Sequence, residues 1–166
     1  MPEPLEQAVV RATVRVLETA AFMSVWPWTE DDGELPLPDV AASMEFRGPQ
    51  PGSLTLRVHS SLLPTLIQNM LGEPEGSESP EAKTRDALCE VLNMICGNLL
   101  TAWQGEEAVY DLRPPEMLGA QAPEASPDAA VVFFVEGTRA VVELRLDPPT
   151  ELAAAALAAD VPGEKG

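Results

Sequence analysis

The chain has 166 residues, enough for one domain with a sizeable core and too few for two comfortable ones. Its 27 acidic residues against 10 basic ones leave a net charge of −17, which excludes the basic footprint that nucleic-acid backbones and anionic membrane surfaces require. Hydrophobic residues at 45% are a globular proportion, not that of a disordered chain.

The acidic surplus suits solubility first and a basic protein partner second. The N-terminus, MPEPLEQ, has neither a basic n-region nor an apolar h-region, and the longest apolar runs, AAVVFFV and LAAAALAA, fall far short of a bilayer span. A cytoplasmic protein is expected.

In residues 4–23, Leu5, Val9, Ala12, Val16, Ala20 and Met23 share one stripe, with Arg11, Arg15 and Glu18 opposite, which predicts an amphipathic helix of about five turns. The following WPWTEDDGELPLP reads as an acidic, proline-rich loop in which Trp26 and Trp28 pack locally and Glu30-Asp31-Asp32 is solvated. DVAASMEFR and SLTLRV alternate at a period of two around GPQPG, which predicts a hairpin with one covered face. SSLLPTLIQNMLG (60–72) reads as a short helix stopped by Gly72, preceded by a lone His59 with a surface or capping role. EPEGSESPE is a polar loop, and its Ser79-Pro80 suits a helix start, with serine as N-cap and proline at the first helical position.

A long helix follows, to about Trp103. Past YDLRPPEMLGAQAPEASPD, AAVVFFVE and RAVVELRL form a second hairpin about a Gly137-Thr138 turn. The first of these strands is apolar on both faces, which places it centrally in the sheet. Residues 1–147 thus read as one α+β domain, an antiparallel or mixed sheet with both long helices on one face and a helix–hairpin unit used twice. Residues 148–166 read as an Ala/Pro-rich tail holding at most one short helix.

The long helix poses the functional question. Leu88, Val91, Leu92, Ile95, Leu99 and Trp103 cover its inner arc, with Cys89 and Cys96 at the margin. Seven residues apart on one helix, the thiols stand roughly 10 Å from each other, too far to bridge, and without a C-x-x-C pair they read as small core residues. With a single histidine in the chain, no protein-held metal site is expected. Asp86, Glu90, Asn93 and Gly97 align on the opposite side at spacings of four, three and four. A solvated face accounts for the carboxylates. It does not account for an asparagine and a glycine, both poor mid-helix residues, in a helix whose apolar pattern continues through LLTAW.

EVLNMICGNLL resembles the signature of the CheX family of chemotaxis phosphatases, relatives of CheC and FliY. Members carry an acidic residue, then Glu-x-x-Asn, then Gly-Asn on one helix, with a proline about twenty residues on. The matching positions are Asp86, Glu90, Asn93, Gly97 and Asn98, with Pro114-Pro115 downstream, and the likeness spans about residues 5–146. The first helix departs from the pattern. There Glu18-Thr-Ala-Ala21 stands against Glu90-Val-Leu-Asn93, so the amide is missing and at most one site is expected.

The resemblance implies hydrolysis of the aspartyl phosphate of a CheY-like response regulator, which brings its own Mg²⁺, lysine and hydroxyl. In that reading Asn93 orients the attacking water and Glu90 pairs with the regulator's lysine. Asp86 is a peripheral partner contact. Gly97 admits the partner's backbone or serves packing within the domain, and Asn98 completes the partner-binding set with Asp86 and Gly97, although bonding locally or capping suits it better than touching substrate. The chain itself holds no cofactor. A non-catalytic binding module for a regulator or signalling complex is the alternative, and a structural component of the flagellar-switch kind is a third class. Pairing of two copies through sheet edges or helices is also implied, with the VVFFV strand as one candidate region should it prove an edge.

Overall fold

The computed structural model describes residues 4–72, 80–119 and 126–148. Helix α1 (Leu5–Thr19) leads into a short strand β1 (Val25–Pro27), and the hairpin β2 (Val40–Arg47) and β3 (Gly52–Val58) follows. Helix α2 (Leu63–Leu71) and the long α3 (Pro80–Gln104) come next. The short strands β4 (Asp111–Leu112) and β5 (Glu116–Met117) and the hairpin β6 (Ala129–Val135) and β7 (Thr138–Leu146) complete the order. Among the described residues the strands form one sheet in the order β1-β6-β7-β3-β2-β4, with β5 also on β2, and every pairing is antiparallel. The fold is α+β, with α1 and α3 packed side by side over one face of that sheet and α2 against α3.

The alternation of the first hairpin sets this architecture. Ala42, Met44 and Phe46 of β2 and Leu54, Leu56 and Val58 of β3 point into the helical layer and are buried. From α3 they meet Leu88, Val91, Leu92, Ile95 and Leu99, each 0% exposed, and from α1 Val9, Ala12 and Val16. At about 1.5–3 kcal/mol for each large side chain taken from water, this two-sided burial is what orients α3. The sheet's other face is polar along β3 and β7. Arg57 Nε sits 2.6 Å from Glu143 Oε1 and Arg145 3.3 Å from Glu143 Oε2. Gly52 lets β3 run close to β7, since a Cβ there would collide with the Arg145 carbonyl and the Phe46 ring.

Several expectations are corrected. Helix α1 ends at Thr19, not Met23: the Thr19 hydroxyl donates to Arg15 O at 2.6 Å, and the chain reverses at Phe22, whose φ is +55°. Asn69 of α2 holds that turn through a 2.6 Å bond to Ala21 O. The segment read as a loop opens with β1, which pairs with β6 so that Trp26 stacks on Phe134 with ring centroids 4.1 Å apart. Trp28 lies under the Arg139 guanidinium. Glu30–Asp32 form a single 3₁₀ turn, with Trp26 Nε1 and Thr29 N both donating to Asp32.

Strand β6 is not central. It lies second from one edge and is covered by β1 along only three residues, while β7 and β3 hold the middle. Its two-sided apolar character has a local cause, because its outward Phe134 is covered by Trp26 rather than by a second layer. The hairpin turn is Glu136-Gly137, both at positive φ, and Thr138 already pairs with Val135. Two short strands not expected at all, β4 and β5, pair with β2. The Ser79 cap and most of the C-terminal tail lie outside the described residues.

Candidate functional site

The candidate site is built on α3 alone. The helix runs unbroken from Pro80 to Gln104 and is clamped on its inner side, so residues on its outer side project from a rigid support. Asp86, Glu90 and Asn93 are all exposed. Glu90 and Asn93 make no hydrogen bond or ion pair with any of the described residues, so both head groups are free to meet a partner. Asp86 is engaged only loosely, its Oδ1 lying 4.0 Å from Arg85 Nε with both side chains more than half exposed. A pair so exposed contributes little.

Gly97 sits one turn beyond Asn93 on the same side, and a Cβ built there would meet nothing within 4 Å. Packing among the described residues therefore does not demand a glycine, in contrast to Gly52. Among the described residues no close contact gives Gly97 the packing role that was one of its two expected uses. Asn98 departs from the row. Its Nδ2 donates to Met94 O at 2.9 Å, one turn back, as expected for a locally bonded residue.

Burial disfavours the thiolate form of both cysteines flanking this row. Burial pushes Cys96 up to about 12, and it raises the half-buried Cys89 as well, with Arg85 opposing and Asp86 adding to the rise. His59 is a cap: its Nδ1 accepts from Ser61 N at 3.2 Å, at the start of the turn before α2. Pro114 lines a shallow cleft with Ser43, Glu45 and Arg47 on the β2 edge of the sheet. Among the described residues no group of three or more His, Cys, Asp or Glu side chains is gathered as a metal site would need.

Sequence reasoning missed what lies beside the row. A groove of about 960 Å³ opens between α1 and α3, lined by Val10, Arg11, Val14 and Arg15 on one wall and by Gly97, Asn98 and Ala102 on the other. Arg11 and Arg15 stand one turn apart on the polar side of α1, and in the sequence nothing sets them apart from solvated charges. Only the docking of α1 against α3 brings them to Gly97.

The family described as "Chemotaxis phosphatase CheX" matches residues 40–136, more than half of the chain and all of α3. The chain belongs to the CheX family. Solved structures of similar fold include a CheX chemotaxis protein from Desulfovibrio desulfuricans, at 23% identity and TM-score 0.67, covering 86% of this chain and 99% of that one. CheX from Vibrio vulnificus has 18% identity and TM-score 0.66, with coverage of 87% and 97%. CheX from a CheX–CheY–BeF₃–Mg²⁺ complex of Borrelia burgdorferi has 17% identity and TM-score 0.62, with coverage of 87% and 99%. No curated protein matches the chain. Among the described residues no helix is long and apolar enough to cross a membrane.

Proposed function

We propose that this CheX-family chain hydrolyses the aspartyl phosphate of a CheY-like response regulator, with Asn93 and Glu90 as the residues it contributes. The observation that carries the reading is the pair itself: two polar head groups one turn apart, exposed and unengaged among the described residues, on a helix fixed by its buried side. A surface row kept for solubility needs neither an asparagine nor a mid-helix glycine.

Phosphoryl transfer is governed by positioning and charge, and the regulator supplies the metal, the lysine and the hydroxyl that hold the phosphoryl group. The missing part is a water held in line. The Asn93 amide oxygen accepts a hydrogen bond from that water while its NH₂ donates to the phosphoryl site. The water oxygen forms a bond to phosphorus, the bond from phosphorus to the aspartyl oxygen breaks, and the carboxylate is released. The water's proton leaves with inorganic phosphate. Glu90 pairs with the regulator's lysine, which docks the two proteins and sets the direction of Asn93. Asp86 adds a contact at the margin, and Gly97 leaves room for the partner.

The finding of a relative in complex with CheY, BeF₃ and Mg²⁺ supports a partner of this kind. Phosphate loss from CheY-like regulators of the same cell, with and without the protein, tests the proposal. The expected result is faster loss with wild type and at least about 100-fold less acceleration with Asn93→Ala, binding being retained. Binding without any acceleration by wild type would leave a docking module in place of an enzyme.

A further inference from the structure

We propose that the groove between α1 and α3 is the second half of the partner-docking surface, with Arg11 and Arg15 receiving carboxylates of the regulator while Asn93 and Glu90 address its phosphoryl group. The proposal rests on the reading above and extends it to a second helix.

Three observations converge on the groove. Its α3 wall is low where Gly97 stands, because the glycine leaves open space that no neighbour among the described residues uses. The Asn98 amide is turned back onto Met94 O and does not fill that space. The opposite wall presents two guanidinium groups at i and i+4, both residues exposed, with Val10 and Val14 beside them as apolar ground. A mid-helix glycine costs about 1 kcal/mol relative to alanine, and here the gain lies outside the chain.

Charge identifies the occupant. A protein of net charge −17 approaches an anionic phosphoryl group against repulsion, and Asp86 and Glu90 on the site row add to it. Basic residues near the site are therefore informative. Arg47, Arg57, Arg139 and Arg145 belong to strands of the sheet, Arg113 to the β4–β5 connection, Lys83 is buried, and Arg85 on α3 stands beside Asp86, outside the groove. Arg11 and Arg15 alone among the described basic residues line the groove. Glu18 and Glu106 line it too, so the groove is locally balanced on an otherwise strongly acidic molecule. The partner's matching chemistry follows from its metal. A Mg²⁺ beside a phosphoryl group is held by carboxylates, so the regulator surface around it is acidic, and guanidinium forks suit carboxylates.

The test uses full-length protein and the CheY-like regulators of the same cell, loaded with Mg²⁺ and beryllofluoride for binding and with phosphate for turnover. The double charge reversal Arg11→Glu/Arg15→Glu is expected to raise Kd and KM at least tenfold, with kcat within twofold of wild type. Arg113→Glu, an exposed change of the same sign in the β4–β5 connection, is expected to move Kd by less than twofold. Gly97→Leu, which fills the groove, should raise KM while thermal melting stays intact. Equal shifts per charge from the α1 and Arg113 variants would overturn the proposal, because only net charge would then matter. Wild-type binding without turnover would refute the phosphatase reading while the Kd values still decide the groove. Absence of wild-type binding to every regulator would refute both.

Discussion

Helices α1 and α3 lie on the same face of the sheet and bury the same kind of stripe, yet α3 carries a Glu-x-x-Asn row on its outer side and α1 has no asparagine to complete one. Val9, Ala12 and Val16 on α1 match Leu88, Leu92 and Ile95 on α3 in burial. The outer sides diverge. Glu90 is followed by Asn93 and by eleven further helical residues, whereas Glu18 is followed by one helical residue and then a chain reversal. Ala21 is buried and off the helix, so the position equivalent to the amide has lost both its chemistry and its support. The Glu-x-x-Asn spacing of α3 thus has no counterpart at the end of α1, in residue type or in helical support.

If the inner sides are equivalent in kind, truncating either should unfold the protein in proportion to size. Leu92→Ala is expected to cost about 2–5 kcal/mol, and Val16→Ala less because fewer buried methyl groups are removed, read from urea midpoints. A Leu92→Ala loss below about 1 kcal/mol would mean that α3 is not clamped as described.

If the outer sides are unequal, the amide should matter on one helix only. Asn93→Ala removes at least about 100-fold of the acceleration, while Ala21→Asn in that background restores none of it, the reading in both cases being regulator dephosphorylation. Recovery by Ala21→Asn would show that the helix end does not limit α1.

A smaller difference lies in titration. The α1 stripe holds no ionisable residue, whereas α3 buries Cys96, whose thiol is pushed up to about 12 from 9.0. The unfolded chain releases that proton first, so the contribution to stability is complete below about pH 9 and falls as pH rises toward 12. Urea midpoints of Cys96→Ala should decline less over that interval than those of wild type. An identical decline would assign the alkaline loss to other groups.

How much of this was legible in the sequence follows from what each feature depends on. The α3 row, the first hairpin and the missing amide after Glu18 depend on local period and spacing, and the structure keeps all three. Strand β1 was hidden because its pairing partner, β6, lies about a hundred residues away, and a three-residue stretch around Pro27 has no period to detect. The place of β6 in the sheet was misread because a stacked tryptophan buries apolar side chains as a second layer would. Arg11 and Arg15 looked like solvated charge because their neighbours in the groove come from another helix.

The finest comparison pits one stabilising substitution on each helix against the other. Gly97→Ala adds a methyl group into open space and should stabilise the fold by up to about 1 kcal/mol through helix propensity alone. Thr13→Val removes a buried hydroxyl that has no hydrogen-bond partner among the described residues, and should stabilise by a similar or smaller amount. Their stability effects are alike and their functional effects should differ. The Thr13 change lies in the core and leaves KM for the regulator unchanged, whereas the Gly97 change reaches the groove and raises KM a few-fold at constant kcat. Thermal melts and turnover on the same samples separate the two quantities. A Gly97→Ala protein that is both more stable and fully competent would remove the partner from the account of that glycine and leave it as a residue this fold simply tolerates.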